Sequence, residues 1–153
     1  MANNVRIVTR DRGLLAFRRA LATAGASTIA VGIHEDAGTH EDSGLSMAEL
    51  GAIHEFGLGN VPERSFLRSW ASERGEQLVN ERAQMIESDL LKGQATQTLN
   101  KLGLLAVGEV QQRMAQGTPP PNEPATIARK GSSVPLIDTG ALRQSITYKV
   151  VLK

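Results

Sequence analysis

The sequence predicts an α+β domain, a small mainly antiparallel sheet packed by helices. Two alternating apolar segments carry that expectation. Thr28 to His34 places Ile29, Val31 and Ile33 on one face, and the last residues place Ile146, Tyr148, Val150 and Leu152 on one face. Between them runs a long middle in which apolar residues recur at helical spacing. Strands near both ends with helices between suit a sheet covered by helices on one side.

Taken in order, Val5 to Thr9 reads as a short strand. A helix is expected from Asp11, with Leu14, Phe17, Arg18, Leu21 and Ala24 on one side and Gly25 as its C-cap. Residues 35–44 are polar and glycine-bearing, a loop. Ser46-Met47-Ala48-Glu49 then forms a capping box, flanked by Leu45 and Leu50 in the hydrophobic-staple positions. That helix should run to Phe56 and stop at Gly57. Phe66, Leu67 and Trp70 open another, continued by Leu78, Val79, Ile86 and Leu90, with a kink at Gly75 and an end at Gly93. Leu99, Leu102, Ala106, Val110 and Met114 mark a further helix. Residues 117–135 hold five of the six prolines, which remove backbone donors, so an extended proline-rich loop is expected there. A segment so poor in apolar residues gains little from its own core and reads as an arm ordered against a neighbour. Asp138 or Thr139 would cap a short helix starting near Ala141.

Composition narrows the function. A chain of 153 residues fits one domain, 1–153. Net charge is +1, which argues against electrostatic coating of nucleic acid. Cysteine is absent, excluding a disulfide framework and a thiolate nucleophile or metal site. No apolar run is long enough to cross a membrane, and the opening residues lack a signal-peptide core. No cofactor fingerprint is present.

Candidate chemistry is sparse. His34-Glu35-Asp36 is echoed by His40-Glu41-Asp42, two imidazoles and four carboxylates that could hold a divalent ion but lie in a loop whose polarity solvation also explains. His54-Glu55 starts a zinc-protease pattern, yet its fifth position is Leu58, so the second ligand is missing. Arg64, Arg68, Arg129, Lys130 and Arg143 fit a solvated face or ion pairs that cross between subunits. A non-enzymatic protein is expected.

Two stretches carry a resemblance. One is Ala52-Ile53-His54-Glu55-Phe56-Gly57 followed by Val61-Pro62-Glu63-Arg64-Ser65-Phe66-Leu67-Arg68. The other is Pro124-Ala125-Thr126-Ile127-Ala128-Arg129-Lys130-Gly131, then Pro135-Leu136-Ile137-Asp138-Thr139-Gly140-Ala141-Leu142-Arg143-Gln144-Ser145-Ile146. In this order they resemble segments of the tail-completion and neck (head–tail joining) proteins of tailed bacteriophages, in the virion-morphogenesis group. That group often has proline where this chain has Ser65. The resemblance implies a structural virion protein, made in the host bacterial cytoplasm and placed at the head–tail junction or tail end. It further implies a homo-oligomeric ring, a hexamer favoured, that contacts other neck and tail proteins and leaves room for DNA to pass without sequence-specific contact. Its motif candidates for the subunit interface are Glu55, Phe56, Gly57, Pro62, Arg64, Phe66, Arg68, Arg129, Lys130, Asp138, Thr139, Gly140, Leu142 and Arg143. A minor tail or baseplate-proximal protein is the alternative in the same class. A metal-dependent enzyme built on the His-Glu-Asp loop is the alternative outside it.

Overall fold

The computed structural model describes residues 11–41, 43–130 and 140–152, with only the backbone of Arg129, Lys130 and Leu152. The expected strand at Val5 to Thr9 lies outside them. The described chain is mostly helical, with one two-stranded antiparallel sheet: β1 (Ser27–Ile33) pairs with β2 (Ile146–Leu152). Ile29 faces Val150, Val31 faces Tyr148 and Ile33 faces Ile146, so the two alternating patterns share one side. That side rests on α5 (Ala95–Gln116), a helix of 22 residues, roughly 33 Å long at 1.5 Å per residue.

All five apolar positions expected on α5 are buried: Leu99, Leu102, Ala106, Val110 and Met114. The last two are fully enclosed together with Phe66, and with Trp70, Leu78, Leu142 and Ile146 they make the main core. A backbone-close contact sets the spacing between α5 and the sheet. Gly103 lies directly under the Tyr148 ring, where even a Cβ would come within 2.3 Å of Cδ2. The Tyr148 hydroxyl donates to Asn100 Oδ1 one turn earlier, at 3.0 Å.

The helix α1 (Arg12–Gly25) begins as expected, with the Asp11 carboxylate accepting from the Leu14 amide at 2.9 Å. Its buried side differs from the expected stripe. Ala20 packs on Leu90 and Ala95, with Phe17 and Ala24 beside it, while Leu14 and Leu21 are exposed. Small residues face the neighbouring helices because the close approach leaves no room for leucine. The expected long helix with a kink at Gly75 is instead two helices, α3 (Leu67–Glu81) and α4 (Ala83–Leu91), broken at Arg82. Gly75 sits unbroken inside α3. Gly93 closes α4 in the left-handed conformation.

The proline segment is also shorter than expected. Residues 118–123 are non-helical, but Pro124–Lys130 is a helix, α6. Pro124 stands at its first position, where a missing N–H costs nothing, and the Thr126 and Ile127 amides donate to the Glu123 carbonyl. Proline starts this helix rather than preventing it. A final short helix, α7 (Ala141–Gln144), starts where expected; its N-cap is Gly140 with φ +83°, and Asp138 and Thr139 lie outside the described residues.

The capping box forms on α2 (Met47–Phe56). Ser46 Oγ accepts from the Glu49 amide at 3.1 Å, and Glu49 Oε2 accepts from the Ser46 amide at 2.9 Å. The Ser46 hydroxyl and amide hold the Glu49 carboxyl below the usual glutamate range. Ser46→Ala is therefore expected to cost about 1 kcal/mol in denaturant melts. Combined with Glu49→Ala the loss should be less than additive, because either change alone opens the box. Strict additivity would show that the two side chains act independently.

Candidate functional site

The C-terminus of α2 carries the first motif. Gly57 ends the helix at φ +66°, and its amide side is so close to the returning chain that a Cβ would lie 2.6 Å from the Glu63 nitrogen. Only glycine meets both demands. The turn that follows brings Arg64 back to donate its amide to the His54 carbonyl at 2.7 Å. The chain then enters α3.

Helix α3 has no cap from its own N-cap side chain, Phe66. Glu55, in the last turn of α2, caps it from outside. Its buried carboxylate, on a residue 4% exposed, accepts from the amides of Phe66, Leu67 and Arg68 at 2.9, 3.0 and 2.9 Å. It also accepts from Ser65 Oγ at 2.8 Å and Arg68 Nε at 3.2 Å. Three of the four orphan donors of the first turn are thus met by one carboxylate placed against the positive end of the helix. Burial pushes the Glu55 carboxyl up. The amides of Leu67 and Arg68, the Ser65 hydroxyl and the Phe66 amide outweigh that and hold it below its ordinary value. Arg68 extends the same group outward, with its guanidinium bonded to the Glu55 carbonyl and Glu63 and lying 4.8 Å over the exposed Phe56 ring.

Arg64 points the other way. Only 6% exposed, it donates through Nε to the Pro120 carbonyl at 2.9 Å, and through Nη2 to the Pro121 carbonyl and Asn122 Oδ1 at 3.3 Å each. The proline segment is therefore held by its own domain and is not an arm free of it. Beside this clamp, between His54, Pro62, Arg64, Pro120 to Glu123 and Thr126, opens a cavity of about 590 Å³.

The structure brings together Glu55, Phe56, Gly57, Pro62, Arg64, Phe66 and Arg68, with Phe66 anchoring the group in the core. Of the described residues of the second motif, Thr126 lines the same cavity. Leu142 is a core residue reaching toward Gly51 of α2. Arg129 and Lys130 lie on α6. Sequence reading missed Ser65, whose hydroxyl serves Glu55, and the carbonyls of Pro120 and Pro121. The available signal was an acid two residues before a helix-ending glycine, twelve residues ahead of a helix with no capping side chain.

The acidic-histidine loop is pinned. A 3-10 turn (Glu35–Ala37) leads to a bridge between Thr39 and Ser46, and Asp36 pairs with Lys149 at 3.1 Å. Among the described residues no three His, Asp or Glu side chains gather as a metal site; Asp42 lies outside them. Comparison with protein-family models, with curated proteins and with solved structures finds no match.

Proposed function

We propose that this chain is a structural virion protein of a tailed phage that completes the tail or joins it to the head as a ring. The observation that carries the reading is the paired resemblance, Ala52 to Arg68 followed by Pro124 to Ile146, in order and separation. The residues of the first stretch also have a mechanical rationale. Glu55 and Arg64 lock the turn between α2 and α3 and the proline segment into one rigid corner. A rigid corner suits a component that must hold its shape under the load of packaged DNA, and such a part needs no catalytic group. Its surface offers apolar side chains for neighbours, Phe56 and Leu58 on the corner itself and Leu104 on α5.

Deleting the gene from its phage tests the reading. Filled heads and tails are expected to accumulate unjoined or misterminated in lysates seen by electron microscopy, and the wild-type gene supplied in trans should restore joined particles. Normal particles from the deletion would exclude the head–tail role. Normal joining with tails altered only at their far end would favour the minor-tail alternative.

A further inference from the structure

Among the described residues β1 and β2 pair only with each other, so each strand has an outer edge where alternate residues turn N–H and C=O away from the ladder. The edge of β2 is guarded. Lys149 stands in mid-strand and is tied to Asp36, and the Ile146 carbonyl accepts from Gln111 Nε2 at 3.5 Å. The edge of β1 is not. Ser27-Thr28-Ile29-Ala30-Val31-Gly32-Ile33 holds no charge and no proline, and its register with β2 runs without a bulge. Among the described residues no backbone hydrogen bond reaches it from outside the sheet.

The far end of that edge is occupied. Ile33 lies against Gly51 of α2, and Gly32 is buried facing Leu67 of α3. The open stretch is therefore 27–31, with Ile29 at its centre. Val31 and Ile33 pack against the main core, and α5 meets the sheet under β2, where Gly103 touches Tyr148. Ile29 is half-buried and, like its partner Val150, belongs to neither core cluster. The large apolar side chain of β1 that the core leaves uncovered thus sits in the middle of the unguarded edge. A second copy fits this stretch by symmetry. Antiparallel pairing about a two-fold axis through Ile29 sets Ser27 opposite Val31 and Thr28 opposite Ala30. Opposed side chains share a face, so Ile29 meets Ile29 on the apolar side, with Val31 diagonal to it. A slip of one residue would set apolar side against outer side.

We infer that the chain forms a two-fold dimer in which β1 pairs with β1 of a second copy over residues 27–31, giving a four-stranded sheet in the order β2-β1-β1-β2. Backbone N–H and C=O groups supply the attachment, and the Ile29 pair fixes the register. The contact is isologous and closes at two copies. It is separate from any ring contact and does not rest on the virion reading.

The absence of cysteine gives a clean test. Thr28→Cys and Ala30→Cys change side chains on the outer face and leave both Ile29 and the backbone contact in place. Mixed and oxidised mildly, the two chains are expected to give a disulfide-linked dimer. Each variant alone sets its sulfurs on a diagonal, past the roughly 7 Å Cα separation that a disulfide spans, and should not link. Lys149→Cys, which faces Ala30 from β2 of the same chain, should link to neither. Thr28→Asp combined with Ala30→Asp places like charges opposite each other across the axis. It should weaken dimerisation about tenfold or more in sedimentation while the melt stays cooperative. Mixing it with the Thr28→Lys/Ala30→Lys chain should restore a mixed dimer. A wild-type chain that sediments as a monomer, its edge left to a foreign strand, would overturn the pairing. So would a link from Ala30→Cys alone or to Lys149→Cys, or an acidic double variant that dimerises as well as the wild type.

Discussion

Glu55→Ala is expected to lower the melting temperature by roughly 10–15 °C, following a loss of about 3–5 kcal/mol. The substitution removes an acceptor shared by three backbone amides, a hydroxyl and a guanidinium. The Phe66 amide is buried, so water replaces the lost bond poorly. Glu55→Gln should fall between, because its amide nitrogen faces donors. The pH dependence has a definite sign. The folded carboxyl titrates below the ordinary glutamate value of about 4.3, so its contribution is complete above that value and is lost as pH falls through the lowered one. The gap in stability between wild type and Glu55→Gln should therefore narrow on acidification. A gap constant from neutral pH to well below 4 would show that the negative charge is not what the amides need.

Gly103→Ala is expected to destabilise by about 2 kcal/mol, although alanine is the better helix former by about 1 kcal/mol. The added Cβ would lie 2.3, 2.6 and 2.7 Å from Cδ2, Cγ and Cε2 of Tyr148. Those atoms belong to a stiff ring near its root, so the strand must shift or the ring must swing and release Asn100. Thermal melts of Gly103→Ala, Tyr148→Ala and the double variant decide the matter. Removing the ring should make the alanine harmless or helpful, leaving a strongly non-additive cycle. A single Gly103→Ala variant as stable as wild type would mean that α5 and the sheet separate freely.

Local chemistry made much of the fold legible. The alternation in Thr28 to His34 and in Ile146 to Leu152, the capping box at Ser46 and the apolar positions of α5 each depend on neighbours in sequence, and each is found. What escaped depends on distant partners. Leu14 and Leu21 look buried until α4 comes close enough to favour Ala20. Pro124 looks like a helix breaker until it is placed at a first turn. The break at Arg82 has no local sign; Gly75 carries the stronger one and stays helical. The candidate site behaved likewise. Glu55 was marked by resemblance, but its role as the cap of another helix follows only once α2 and α3 are set end to end.

The pairing of β1 with β2 also has a bearing on biosynthesis. Ile33 waits for Ile146, a partner more than a hundred residues further along the chain, which at about 5–20 residues per second arrives on the order of ten seconds later. Until then Ile29, Val31 and Ile33 belong to a strand with two open edges, the state in which strands recruit one another. The nascent chain is thus most prone to aggregate between the emergence of β1 and that of β2. Overexpression that crowds such chains together should favour insoluble product at that stage, and slower initiation should relieve it.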